Sequence, residues 1–270
     1  MKLGIIAGNR LLPIILAKNI KENSLASETI AFCFKGETSS CISKYVDRVH
    51  WIDIGKLGVL REELRKKGIK DCIMVGQITP LRIFRRKNWD AELSLLVEKA
   101  EDMRPHTIFS HIIQHLEKEG INFLDSTLYL KKYLAQAGLM NNVRLDNNII
   151  KDIDFGVRMI SRFVDLDIGQ TAVIKNRSVV AIESLEGTDN TIKRGHRLAG
   201  KKCVVLKFSK ANQDLRFDVP VVGLATLKLL EKIKAAALVL EADKVIIIEK
   251  ERFLLLADKW QIPIIGRAKA

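Results

Sequence analysis

Between Glu186 and Pro220 the chain places Glu186, Gly187, Thr188, Asp189, Lys193 and Arg194, and then Gln213, Asp214, Arg216, Asp218 and Pro220. A packed core needs neither so many carboxylates nor so many cations this close together. A site that handles a phosphate ester with a divalent metal needs both. Gly187 permits a tight turn and Thr188 can cap a following helix. The free amides of that helix's first turn would face an approaching anion, with Lys193 and Arg194 adding charge. Asp189 would also sit well in a first helical turn on dipole grounds alone. Further on, Asp214, Arg216 and Asp218 alternate, so an extended chain would project carboxylate, guanidinium and carboxylate to one side. An internal ion pair of Arg216 with either aspartate is the other use of the same charges.

Other candidates carry less. Gly8 ends a short apolar run, as in a dinucleotide fingerprint, but Asn9 and Arg10 replace the second glycine and its spacing, so GxGxxG is absent. Gly8 is then either a turn glycine or a residue that holds a nucleotide or sugar near the turn. Arg82, Arg85, Arg86 and Lys87 follow Gly76, Gln77, Ile78, Thr79 and Pro80 and read as a solvated run or as a patch facing phosphate or membrane. His111 and His115 stand four apart, but no glutamate follows His111 as a zincin signature requires, and partly exposed helix residues are expected. The 4 cysteines form no CxxC pair. Reduced core thiols are expected, with no zinc site.

The elements that must position these residues alternate. Leu3 to Ala7 reads as a buried strand ending at Gly8, and Leu11 to Ile20 as a helix. Thr29 to Phe34, Val49 to Ile54 and Asp71 to Val75 read as strands, and Lys56 to Lys67 as an amphipathic helix closed by Gly68. Such a pattern implies a doubly wound sheet, whose ligands bind beyond the carboxyl ends of the strands, here the loops at Gly8 and at Gly76 and Gln77. Ala91 to about Gly138 is expected to be mostly helical, broken at Pro105 and by the apolar stretch Ile121 to Leu124. A domain boundary falls near residues 135 to 140.

Beyond it, a helix is expected from about Asp152 to Val164. Gly169 to Lys175 and Ser178 to Ser184 form a hairpin about Asn176 and Arg177. Cys203 to Phe208 reads as a strand. Leu224, Leu227, Leu230, Ile233, Ala237 and Leu240 stripe one long helix. Val245 to Ile248 and Ile262 to Ile265 complete a second α/β unit. The fold class is therefore α/β, with two domains.

Composition narrows the partners. Of 270 residues, 47% are hydrophobic and 5 are proline, and no apolar run approaches the length of a bilayer span, so a soluble globular chain is expected. Met1 to Ala17 superficially resembles a signal peptide, but Asn9, Arg10 and Pro13 interrupt it. A net charge of +13 implies acidic company, whether nucleic acid, anionic lipid or a phosphorylated substrate. Aromatic residues make up 6% and are not interleaved with the cations, which speaks against nucleic acid.

The second half resembles the LpxI-type UDP-2,3-diacylglucosamine pyrophosphatases. The matching residues are Asp152, Asp154, Phe155 and Gly156; Asp167, Ile168, Gly169 and Gln170; Glu186 to Asp189 with Arg194; and Gln213, Asp214, Arg216, Asp218, Pro220 and Gly223. The opening Leu3 to Gly8, with Leu12 and Pro13, is also similar. The resemblance implies a Rossmann-like N-terminal domain (1–135) followed by a distinct α/β C-terminal catalytic domain (140–270), with the lipid substrate held between them. It implies hydrolysis of UDP-2,3-diacylglucosamine to UMP and lipid X, with Mg²⁺, in lipid A biosynthesis. It further implies a homodimer that is cytoplasmic, peripherally associated with the inner membrane, and binds no nucleic acid. The family's Arg-x-Asp-x-Pro motif puts the catalytic carboxylate on Asp218. Asp218 and Asp214 are the expected metal ligands. The expected substrate contacts are Gly8, Gly76, Gln77, Gln170, Gly187, Thr188, Asp189, Lys193, Arg194, Lys207, Gln213 and Arg216. Two readings from other classes are a non-catalytic sensor of a sugar nucleotide and a basic RNA- or DNA-binding module.

Overall fold

The computed structural model describes residues 1–79, 86–211 and 213–270. Pro80, Arg82 and Arg85 of the basic run, with Ile83 and Phe84 between them, lie outside the described residues. The chain divides into two compact units. The first is Met1–Leu130 together with Asp214–Asp218, and the second is Lys131–Gln213 together with Val219–Ala270. The sequence boundary near 135 to 140 thus falls a few residues beyond the change of unit, and five residues of the second half belong to the first unit.

The first unit is a five-stranded parallel sheet of β1 (Lys2–Ala7), β2 (Glu28–Phe34), β3 (Arg48–Ile52), β4 (Asp71–Val75) and β5 (Asn122–Phe123), in the order β3-β2-β1-β4-β5. Buried parallel strands must be apolar on both faces, and β1 and β2 are buried from their second residue onward. The crossovers include α1 (Leu12–Glu22), α2 (Leu57–Lys66), α3 (Ala91–Glu98) and α4 (Pro105–Lys118). Leu60 and Leu64 of α2, Leu93 of α3, and Ile108 and Ile113 of α4 pack with Ile6, Phe32 and Met74 of the sheet. The strand order reverses between β1 and β4, which sets the switch point at the loops after Ala7 and Val75.

Those two loops interlock. Gly8 N–H donates to the Val75 carbonyl at 2.8 Å, and Asn9 N–H to that of Gln77 at 2.7 Å. A Cβ on Gly8 would strike the Gln77 carbonyl, and one on Gly76 would lie 2.7 Å from the Asn9 carbonyl oxygen. Gly8 is thus required by the approach of two backbones and does not belong to a phosphate-cradling GxGxxG.

The second unit is a mixed six-stranded sheet of β6 (Gly138–Leu139), β7 (Thr171–Lys175), β8 (Ser178–Ile182), β9 (Val204–Lys207), β11 (Ala237–Glu241) and β13 (Ile264–Arg267), ordered β6-β13-β11-β9-β7-β8. A two-stranded pair of β10 (Val221–Val222) and β12 (Ile246–Ile247) accompanies it. Its helices are α5 (Asn147–Asp165), α6 (Thr188–Ala199), α7 (Leu224–Lys232) and α8 (Lys250–Lys259). The expected hairpin is β7–β8, with Asn176 and Arg177 both at positive φ. A two-residue turn matching the strand twist has that geometry. Asp152 on α5 fixes it by accepting the Asn176 and Arg177 N–H groups at 2.9 and 2.7 Å.

Two expectations fail. The stripe from Leu224 to Leu240 is not one helix: α7 stops at Lys232, Lys234 takes a left-handed φ of 54°, and Ala237–Glu241 is a fully buried central strand. An apolar run buried on both faces carries no period that separates strand from helix. The segment after Leu124 also forms no α-helix, only a short 3-10 turn at Lys131–Tyr133. Asp125 turns its carboxylate onto the N–H and hydroxyl of Thr127, and such local bonds compete with a helix. Cys33, Cys72 and Cys203 are buried thiols and Cys41 is exposed. Burial pushes Cys33 and Cys72 up to about 12. No helix among the described residues is long and apolar enough to cross a membrane.

Because two backbones touch at Gly8, Gly8→Ala is expected to destabilise the first unit by about 1–3 kcal/mol. Thermal melting checks this, and an unchanged midpoint would contradict the packing.

Candidate active site

The structure brings the expected site residues together in two groups, one in each unit. In the first unit, Gly8, Gly76 and Gln77 flank the switch point. Beside them Glu37 Oε2, just past β2, accepts from Asn9 Nδ2, from Thr79 N at 3.1 Å and from the Thr79 hydroxyl at 3.1 Å. No motif or spacing in the sequence marks this carboxylate.

The same unit holds Asp214, Arg216 and Asp218, which sequence order alone places in the C-terminal domain. They are not on an extended strand. Residues 214–218 form one helical turn, closed by Asp218 N–H donating to the Asp214 carbonyl at 2.9 Å. Arg216 does not stand on a face between the two aspartates. Its guanidinium folds back on Asp214, with Nε to Oδ1 at 3.0 Å and Nη2 to Oδ2 at 2.7 Å, and its Nη1 reaches Glu117 Oε1 of α4 at 2.7 Å. Burial pushes the Asp214 carboxyl up, but the hydrogen bonds from Arg216 outweigh it and hold the group below its ordinary value. Those hydrogen bonds likewise raise Arg216.

Three further contacts seat the turn. Phe217 packs against His106 and Phe109 of α4, with ring centroids 5.2 and 5.8 Å apart. Ser126, 1% exposed, donates its N–H to the Leu215 carbonyl at 2.9 Å. Its hydroxyl lies 2.6 Å from the Met74 carbonyl near the end of β4 and 2.8 Å from that of Arg216. The turn therefore sits by the carboxyl end of β4, the strand that forms one side of the switch point.

In the second unit, Lys207 ends β9 and is only 7% exposed. Its Nζ donates to Thr188 Oγ1 at 2.7 Å. Thr188 is not the helix cap. Gly187, at φ 78°, is the N-cap of α6 and supplies no side-chain bond, so the first amides of the helix are left uncapped by side chains. The Thr188 hydroxyl instead faces Glu183, at 3.2 and 3.3 Å from its two oxygens. Gln170 Nε2 donates to Gln213 Oε1 at 2.9 Å, which also accepts from Lys210 N. Asp189 lies in the first turn of α6 and accepts from Thr226 at 3.2 Å. Lys193 is exposed. Arg194 pairs with Glu186 and donates to the Ile182 carbonyl at 2.7 Å. Its hydrogen bond brings the Glu186 carboxyl down to about 2.

The ion-pair alternative thus describes Arg216. As for metal, the described residues contain no group of three His, Cys, Asp or Glu side chains placed to hold an ion. Both Asp214 oxygens face Arg216, so its expected role as a ligand does not fit.

A two-unit α/β protein with a carboxylate turn at a parallel-sheet switch point and a buried lysine beside an uncapped helix has the equipment of a phosphoryl-group enzyme. Family models described as the LpxI N-terminal domain and the LpxI C-terminal domain match residues 2–133 and 136–265, and the chain belongs to the LpxI family. It is 25% identical to the UDP-2,3-diacylglucosamine pyrophosphatase LpxI of Caulobacter vibrioides, over 98% of this chain and 97% of that one. Among solved structures, a glycinamide-RNase-transformylase T from Mycobacterium tuberculosis matches at 12% identity over 68% of this chain and 44% of its own, with a TM-score of 0.22. That likeness is too low to bear on fold or function.

Because the folded Asp214 carboxyl lies below the unfolded value of about 3.9, its pairing stabilises the protein fully above that value and is lost as pH falls through the folded one. Asp214→Asn is expected to be less stable than the parent at pH 7, with a gap that narrows in acid. Denaturant titrations at several pH values check this; a gap that widens in acid would contradict the pairing.

Proposed function

We propose that this chain hydrolyses the pyrophosphate of UDP-2,3-diacylglucosamine to UMP and lipid X in lipid A biosynthesis. What carries the reading is the match of both LpxI domain models along the chain, with Arg216, Asp218 and Pro220 standing in the Arg-x-Asp-x-Pro motif. Water adds to one phosphorus, the bridging P–O bond breaks, and the water's proton must leave. Asp218 orients that water or takes its proton.

Phosphoryl transfer depends on positioning and on charge stabilisation. Lys207 and the uncapped amides of α6 supply positive charge for the phosphates, with Gln170, Gly187, Thr188, Asp189, Lys193 and Gln213 around them. Gly8, Gly76 and Gln77 contact the nucleotide. Arg194 and Arg216, each committed to carboxylates, hold the architecture more than the substrate. Magnesium, held by Asp218 and the substrate's phosphate oxygens, would neutralise charge on the phosphates. Chelation should then abolish turnover and added Mg²⁺ restore it.

The decisive variant is Asp218→Ala. UMP release is expected to fall at least about 100-fold while the far-UV spectrum stays that of the folded protein. Activity within about tenfold of the parent, some 1.4 kcal/mol of barrier, would remove Asp218 from the chemistry.

The reading includes a homodimer at the cytoplasmic face of the inner membrane. The net charge of +13 supports contact with anionic head groups. Sedimentation with anionic vesicles should weaken as salt rises from about 0.05 to 0.5 M. Absent or salt-insensitive binding would sink an electrostatic contact.

A further inference from the structure

We propose that Glu117 and Ser126 are positioning residues for Asp218. The inference rests on the reading of Asp218 as the catalytic carboxylate. The five residues Asp214–Asp218 belong to the first unit, while Gln213 and Val219 on either side belong to the second. No covalent neighbour from the first unit flanks the turn, so only non-covalent contacts seat it there. Within the turn, Asp218 is tied to Asp214 by its N–H, and Asp214 is tied to Arg216 by a two-point ion pair. These bonds shape the turn without anchoring it to the sheet or its helices.

Attachment comes from the side of the unit. Glu117, in the last turn of α4, takes the remaining face of the Arg216 guanidinium at 2.7 Å, across 99 residues of sequence. Ser126 contacts the turn by its N–H at the Leu215 carbonyl and by its hydroxyl at the Arg216 carbonyl, and the same hydroxyl reaches the Met74 carbonyl of β4. Phe217 against His106 and Phe109 adds apolar contact. The ion pair and the serine lie at different points of the turn, so together they hold the turn that carries Asp218. A misplacement of about 1 Å at a reacting group can cost on the order of 100-fold in rate. Each acts through the turn.

The test is steady-state hydrolysis by Glu117→Gln, Ser126→Ala and Asp218→Ala, alone and combined. Glu117→Gln keeps an acceptor while losing the charge, and Ser126→Ala removes the bridging hydroxyl. Each is expected to lower kcat about 10- to 100-fold, with KM within about threefold and a folded far-UV spectrum, and Ser126→Thr is expected to recover most of the loss. On the Asp218→Ala background neither should lower the residual rate further, because a positioning effect vanishes with the group it positions. Parent-like kcat in Glu117→Gln beside an inactive Asp218→Ala would overturn the inference alone. So would a loss confined to KM, or an additive loss in the double variants. Parent-like turnover by Asp218→Ala would instead overturn the catalytic reading on which it rests. Should Ser126→Ala not fold, Glu117→Gln decides the matter, because the Glu117 side chain is 35% exposed and its replacement is readily accommodated.

Discussion

One guanidinium shared by two carboxylates governs the site. Arg216 binds Asp214 at two points and Glu117 at a third, and all three side chains are partly shielded from water. Exposed ion pairs contribute little because solvent screens them and side-chain entropy opposes them. A planar guanidinium gripped on two edges differs, since its geometry is fixed by two-point bonding. Breaking one edge leaves a half-buried charge short of a partner. The structural work of Arg216 and the placement of Asp218 are therefore one constraint seen from two sides.

That constraint needs a rigid base. The five-stranded parallel sheet supplies it through strands that are apolar on both faces and through backbone contact at the switch point. Gly8 and Gly76 let the loops after β1 and β4 interlock, and Glu37 gathers the donors of Asn9 and Thr79 beside them. In the second unit positive charge is gathered in a different form. A buried lysine at the end of β9 meets the start of α6 through the Thr188 hydroxyl, so an ammonium and a helix's positive end lie side by side. The Glu183 carboxylate lies against the same Thr188 hydroxyl.

What is legible in the sequence follows the range of the causes. Strands β1, β2 and β4 are readable because burial on both faces demands continuous apolar runs, and the Asn176–Arg177 turn because a two-residue link between β-rich runs has few conformations. The fate of Leu224 to Leu240 is not readable: the stripe suits a helix, yet the centre of the sheet needs a strand there, and only packing decides. Asp214, Arg216 and Asp218 stand out as a unit by residue type, but not by the face they share, because their alternation suits an extended chain as well as a turn. A turn closed by an i to i+4 hydrogen bond has no signature in five residues.

Ser126 and Glu117 mark the limit most clearly. Neither belongs to a motif, and their partners lie 90 and 99 residues away. Residue type and local period are enough to determine the fold class and the two α/β halves, because each is set by neighbours along the chain, and the resemblance of the motif residues points to the family. Which unit owns Asp218, which arginines are already paired and which distant side chains seat the turn were decided by tertiary structure alone. Hydrogen bonds and ion pairs between remote segments depend on where the backbone brings them, and no local spacing encodes that.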